Sequence, residues 1–279
     1  MRWSTAVMLA VALLVAAPLT VYAQNAPVPA TDDDPDLDPN RAQPDFALVN
    51  LPTTLRLPRF KSSFRVTHRF TRPLGAGDVG DLAGGLFGLD SGAVIGLEYR
   101  FGLMRGLQAG ILRTSENKTI EFFTQYNVLN QSTGAPLGLG ILASIDGTNN
   151  FRDSYTPALG VAISREFGSY GAVYVEPMWV NNSNPLPQEL ADDNDTFIVG
   201  LGARLRIRPT VYLVGEFIPR TGFEPGVHHG TFAVEKRAGG HVFQLNFSNG
   251  FGNTMGQLAR GGTSSDDWYL GFNISRKFF

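Results

Sequence analysis

Arg65, Arg69, Arg100, Arg204, Arg206, Arg208, Arg237 and Lys277, with Glu98, Glu121, Glu166, Glu176, Glu216 and Glu235, all fall on the polar side of stretches whose other side is apolar. Guanidinium and carboxylate groups gathered on one side can pair with each other across a narrow interior or line an ion-selective pore. The mixed signs favour pairing, with Arg204, Arg206 and Arg208 neutralised by Glu216, Glu235 and other carboxylates. The arginine run is also what an anion-selective pore would need. Hydrolysis would require a nucleophile beside a base. Ser248 lies two residues after Asn246, whose amide is no base near neutral pH, and His241 has the opposite strand parity. His228, His229, His241 and Glu224 are the metal candidates. Adjacent strand residues point to opposite faces and no two histidines stand at ligand spacing, so no metal or other cofactor is expected. His68 falls on the apolar side and reads as a rim residue.

The elements that position these charges are strands. In Asp195–Arg208 one parity is Phe197, Val199, Leu201, Ala203, Leu205 and Ile207, and the other carries Gly200, Gly202 and the three arginines. Period two with arginine on one face only is what lipid outside and water or ion pairs inside require. The same reading sets Ile95, Leu97 and Tyr99 against Glu98 and Arg100, and Phe122 and Tyr126 against Glu121 and Gln125. It also sets Phe243, Leu245 and Phe247 against Gln244, Asn246 and Ser248. A charge on the lipid face, such as Leu201→Arg, is expected to be costly and a lumen change such as Gly202→Ser mild.

About twelve such strands follow Ser62, each near the length a tilted membrane strand needs. Their connections alternate tight and long. Gly102–Met104, Gly168–Ser169, Pro209 and Ala238–Gly240 are tight. Arg72–Asp90, Gly147–Tyr155, Asn181–Asn194, Arg220–His229 and Gly250–Asp266 are long and read as exposed loops, with "DVGDLAGGLFGLDSG" a short helix over the mouth or in the lumen. This asymmetry predicts an all-β, antiparallel transmembrane barrel with both termini periplasmic. Trp179, Trp268 and Tyr269 are expected at the outer aromatic girdle, and Phe101, Phe167, Phe278 and Phe279 at the periplasmic one.

Ala6–Ala17 is a short apolar run after Arg2, broken by Pro18, and Val21 and Ala23 supply the small residues for cleavage before Gln24. Residues 1–23 therefore read as a signal peptide. Residues 24–45 are rich in Pro and Asp and read as a disordered linker. Phe46–Lys61 mixes apolar residues with Pro52 and Pro58, as a periplasmic latch or a plug entering the pore would. The chain has no cysteine, and its formal charge of −2 without a basic block leaves no footprint for nucleic acid. A mean hydropathy of −0.04 fits an apolar outer face averaged with a polar inner one.

The final strand, "WYLGFNISRKFF", resembles the C-terminal signature of outer-membrane barrels, with Phe278 and Phe279 at its end and Lys277 where an apolar residue is usual. That resemblance implies recognition by the barrel-assembly machinery. "NFSNG" resembles the H-x-S-N motif of outer-membrane phospholipase A and lipid A deacylases, with Asn246 in the histidine's place. "NLPTTLRLPRFKSSFRVTHRF", "GLFGLDSGAVIGLEYRFGL" and "GHVFQLNFSNGFG" resemble an uncharacterised bacterial β-barrel family catalogued as a domain of unknown function. This implies a barrel and no known substrate. The functional expectation is a non-enzymatic barrel in contact with outer-membrane lipids, structural or passing small solutes through a narrow charge-lined lumen. A lipid-modifying enzyme and a surface-binding barrel are the alternatives.

Overall fold

Alternation at period two means that every strand offers one apolar and one polar face, and a sheet closed on itself gives the two faces separate surroundings. The computed structural model describes residues 42–184, 194–224 and 226–278. Residues 1–41, read from sequence as a signal peptide and most of a linker, and Phe279 lie outside the described residues. Twelve antiparallel strands run in sequence order: β1 (Ser62–Phe70), β2 (Ala93–Met104), β3 (Leu107–Thr114), β4 (Ile120–Leu129), β5 (Gly138–Gly147) and β6 (Asp153–Glu166). They continue with β7 (Gly171–Val180), β8 (Thr196–Arg208), β9 (Val211–Ile218), β10 (His229–Ala238), β11 (His241–Ser248) and β12 (Tyr269–Phe278). Arg220–Thr221 prolongs β9 along β8 beyond Pro219. Each strand pairs with its neighbours in the chain, and the first pairs with the last (Arg65 opposite Ser275), so no edge is left open.

Burial is the reverse of a soluble barrel. Arg65, Arg69, Arg204, Glu176 and Glu235 are buried, whereas Leu97, Phe122, Leu159, Leu205, Phe232 and Leu245 are exposed. Apolar side chains facing out and charges facing in are what a hydrocarbon surround selects. Tight connections sit at one rim, such as 209–210 and 239–240. Longer ones sit at the other, including 71–92, which carries α1 (Val79–Gly84). That helix buries no residue, so it lies over the rim and not in the lumen.

Three expectations are corrected. Residues 148–152 make a short connection, because β5 and β6 each run further than their turn-forming residues suggest. Tyr269 is buried, facing inward with its ring 4.5 Å from that of Phe251, and is no girdle residue. Residues 250–262 of the 250–266 segment are not an exposed loop, whereas Thr263, Ser265 and Asp266 are exposed as expected. The 250–262 stretch turns into the lumen and forms α2 (Met255–Arg260), whose Leu258 and Ala259 are fully buried.

Candidate functional site in the barrel lumen

The lumen is filled by the chain's own backbone. Residues 42–58 enter from the short-turn rim, reverse at Val49-Asn50 and return. Backbone bonds Leu48 N–H to Leu51 O (2.8 Å) and Thr53 N–H to Phe46 O (2.9 Å) hold the hairpin. Residues 42–45, read from sequence as the end of a solvated linker, are buried with it. Composition misled here because a short polar, proline-containing peptide satisfies its backbone equally well in water or against a polar wall.

The hairpin tip is recognised from two sides. The amides of Val49, Asn50 and Leu51 all donate to Glu216 Oε1, at 2.7, 2.8 and 2.9 Å. Three convergent amides neutralise a carboxylate that would otherwise be costly to bury. Asn50 Nδ2 donates to Glu216 Oε2 (3.1 Å), and Arg69 Nη2 donates to Asn50 Oδ1 (3.0 Å). On the acceptor side, Ala47 O receives Arg204 Nη2 (2.8 Å), Leu48 O receives Gln244 Nε2 (3.0 Å), and Val49 O receives Arg65 Nη2 (2.5 Å) and Asn273 Nδ2 (3.2 Å). The return arm is held across the lumen by Gln125 Nε2 on Thr53 O (2.7 Å) and by Thr54 Oγ1 against Ser164 Oγ (2.5 Å).

Apolar contacts add to this. Leu48 and Leu51 are fully buried over Gly202 and Gly200, where a Cβ would come within 2.2 and 2.6 Å of their methyl carbons. Gly202 therefore makes room for Leu48, so a side chain at this position presses on the hairpin.

The opposite end is closed by α2. Thr254 and Gln257 form its capping box, Met255 N–H donates to Glu121 Oε1 (2.9 Å), and Thr254 Oγ1 donates to Asp146 Oδ2 (2.5 Å). Arg260 Nε donates to Ser183 O (3.1 Å). Between hairpin and helix remains a space of about 40 Å³ beside Val49, Arg65, Glu121, Phe123 and Met255. That is room for roughly three waters and no solute.

The charges form only part of the paired set expected, with Glu235 neutralising Arg204 as read from sequence. Arg204 pairs with Glu235 (3.0 Å) and Arg100 with Glu98 (3.0 Å), both deep in the wall. Glu216, predicted to neutralise the arginine run, instead holds hairpin amides. Arg206 donates to Ser169 Oγ (2.7 Å) at the short-turn rim. Arg208 is exposed after a register shift that breaks its parity with Arg206. Arg237 is half-buried. Glu166 accepts from Gln43 Nε2 (2.5 Å), and Lys277 lies with its Nζ 5.7 Å from the Phe46 ring. Glu176 is fully buried beside Leu51 and Gly200, with both carboxylate oxygens unpartnered among the described residues.

Ser248 does have an imidazole beside it. His229 Nε2 lies 3.1 Å from Ser248 Oγ, supplied by the neighbouring strand through the register Thr231 opposite Ser248. The base comes from the neighbouring strand and not from the strand that carries Ser248. The signal available was the parity of His229, shared with Thr231 and Glu235. Ser248 and His229 are both fully buried, the hydroxyl donates to Gly250 O (2.8 Å), and His229 Nδ1 faces a threonine at 3.5 Å in place of a carboxylate. His241 stacks outward near Phe243, and Glu224 caps its own turn at Gly226. His68 lies half-buried on the outer face, stacked on Phe272. Phe278 is exposed on the outer wall.

A family model described as "Membrane bound beta barrel domain (DUF5777)" matches residues 45–278. The chain belongs to this family. The match starts at Asp45, so in this family member the hairpin is part of the domain along with the strands. No curated protein matches the chain. Among solved structures the fold is similar to the NanC porin, with 8% identity, 78% of this chain and 100% of that one covered, and a TM-score of 0.53. It is also similar to the COG4313 outer membrane channel from Pseudomonas putida F1, with 14% identity, 80% and 97% coverage, and a TM-score of 0.50. At such identities the likeness is one of fold alone, a closed antiparallel β-barrel.

Proposed function

We propose that the protein is a non-enzymatic outer-membrane barrel, both termini periplasmic, whose resting lumen is closed by the 42–58 hairpin and passes small solutes when the hairpin withdraws. The observation that carries this reading is how the hairpin is held. Most of its partners are polar side chains of the wall gripping backbone groups, including Arg65, Arg204, Glu216, Gln244 and Asn273. A permanent core is apolar because exposing it to water is unfavourable. The polar groups of this wall would be well solvated once vacated, while the buried Phe46, Leu48, Val49, Leu51, Leu55 and Leu57 of the docked hairpin favour the closed resting state. The exposed end of β12 at Phe278 supports recognition by the assembly machinery, and the apolar outer belt supports contact with outer-membrane lipid.

Planar-bilayer recording of the refolded protein tests the proposal. The expected result is a mostly silent wild type and sustained small currents once the hairpin is undocked by substitution at Glu216. A large steady wild-type current, or silence of the undocked variant, would refute it. The Ser248–His229 contact favours a second reading, a lipid hydrolase. Hydrolysis of phospholipid or lipid A that Ser248→Ala abolishes would establish it; background activity in both proteins is the expected outcome.

A further inference from the structure

The hairpin tip occupies a site built for something with more charge than a neutral peptide. Arg65, Arg69 and Arg204 give hydrogen bonds to uncharged oxygens of residues 47–50. Even so, Arg65 Nε, Arg69 Nε, and Arg204 Nε and Nη1 have no partner among the described residues, although all three side chains are buried. A guanidinium is a planar fork that two carboxylate oxygens match and one carbonyl does not. On the other side the carboxylate of Glu216 is met only by amide N–H groups, and Glu176 has both oxygens unpartnered. Glu176 sits opposite Gly200 and Glu216 opposite Gly202, so the two carboxylates flank β8 two residues apart. Arg65 and Arg69 of β1 and Arg204 of β8 on one hand, and the carboxyl groups of Glu176 on β7 and Glu216 on β9 on the other, thus surround one short stretch, residues 47–51.

Resting on the gate reading above, we infer that the vacated tip site binds small zwitterions, namely amino acids or short peptides. The carboxylate lies against Arg65 and Arg69, and the ammonium lies against Glu216 and Glu176. The hairpin is then an internal occupant that imitates the peptide backbone without its charges. A zwitterion binds only the undocked state, so it opens the lumen by competing for the tip's place.

The chain lacks cysteine, so Thr54→Cys, at a position only 1% exposed on the hairpin's return arm, reports undocking through its rate of reaction with a bulky hydrophilic maleimide. Dialanine should raise that rate saturably, roughly tenfold at ten times its dissociation constant. N-acetylalanine amide, acetate and ethylammonium should leave the rate unchanged. Adding Glu216→Gln should speed labelling by itself and abolish the dialanine dependence, with heat-modifiable migration showing that the barrel remains folded. If acetate works as well as dialanine, the site takes simple anions and the inference is refuted. If dialanine is inert while Glu216→Gln speeds labelling, the inference fails and the gate stands. If neither changes the rate, both fail.

Discussion

Glu216→Gln is the sharpest perturbation of the lumen, because one carboxylate holds the whole hairpin tip. It accepts three backbone amides on Oε1, at 2.7, 2.8 and 2.9 Å, and Asn50 Nδ2 on Oε2 at 3.1 Å. A hydrogen bond to a charged group contributes about 1.5–3 kcal/mol and a neutral one about 0.5–1.5, so neutralisation costs on the order of 1 kcal/mol per bond. Glutamine also turns one acceptor into a donor facing Asn50. Allowing for side-chain rearrangement, docking should weaken by about 2–4 kcal/mol, or roughly 30- to 1,000-fold in the hairpin equilibrium. The strand ladder is untouched, so the barrel should still migrate as a folded, heat-modifiable species. Labelling of Thr54→Cys should accelerate, and single-channel recordings should show openings that favour anions, since Arg65 and Arg69 then line the vacated lumen with one carboxylate fewer near them, whereas Arg204 keeps Glu235. Unchanged labelling and unchanged silence in a folded variant would mean that Glu216 does not hold the gate.

Other outcomes follow from the same geometry. A Cβ on Gly138 would lie 3.1 Å from Thr54 Cβ, close to disulfide range, with Ser164 Oγ the crowding atom at 2.5 Å. The variant Thr54→Cys, Gly138→Cys, Ser164→Ala, combined with Glu216→Gln, should therefore be silent when oxidised and show the sustained currents of Glu216→Gln on reduction; equal currents in both states would show that hairpin motion is not the gate. Leu201→Arg should impair folding by about 2–4 kcal/mol if it lies near the bilayer midplane, whereas Gly202→Ser should leave the barrel folded but speed hairpin labelling by displacing Leu48. Labelling at the wild-type rate in Gly202→Ser would contradict the contact.

At the long-loop rim, burial raises the Glu116 carboxyl above its ordinary range, with Arg260 opposing and Asp146 adding to the shift. The folded chain thus holds that proton more tightly than the unfolded one. Its stabilising contribution is present below the ordinary carboxylate range and is lost as pH rises through the folded value. Glu116→Gln should flatten that decline in melting temperature toward neutral pH, and an unaltered pH slope would argue against it.

Class, strand order and the sidedness of residues were set by the sequence itself. Lipid and lumen impose opposite demands on neighbouring residues, so Phe197 to Ile207 and Gly200 to Arg206 separate by parity without any tertiary knowledge. The rhythm of tight and long connections likewise follows from local turn chemistry. What fills the barrel was decided only by tertiary structure. A polar wall is compatible with water, ion pairs or peptide, and nothing local in Ala42–Pro58 or Met255–Arg260 separates a rim segment from one threaded inward. Glu216 found backbone amides in place of arginines, and His229 found Ser248 across a strand register, because both partners are distant in sequence and adjacent only once the sheet closes. Gly200 and Gly202 tell the same story: in sequence they are small lumen residues, and in the fold they are the hollows into which Leu51 and Leu48 fit.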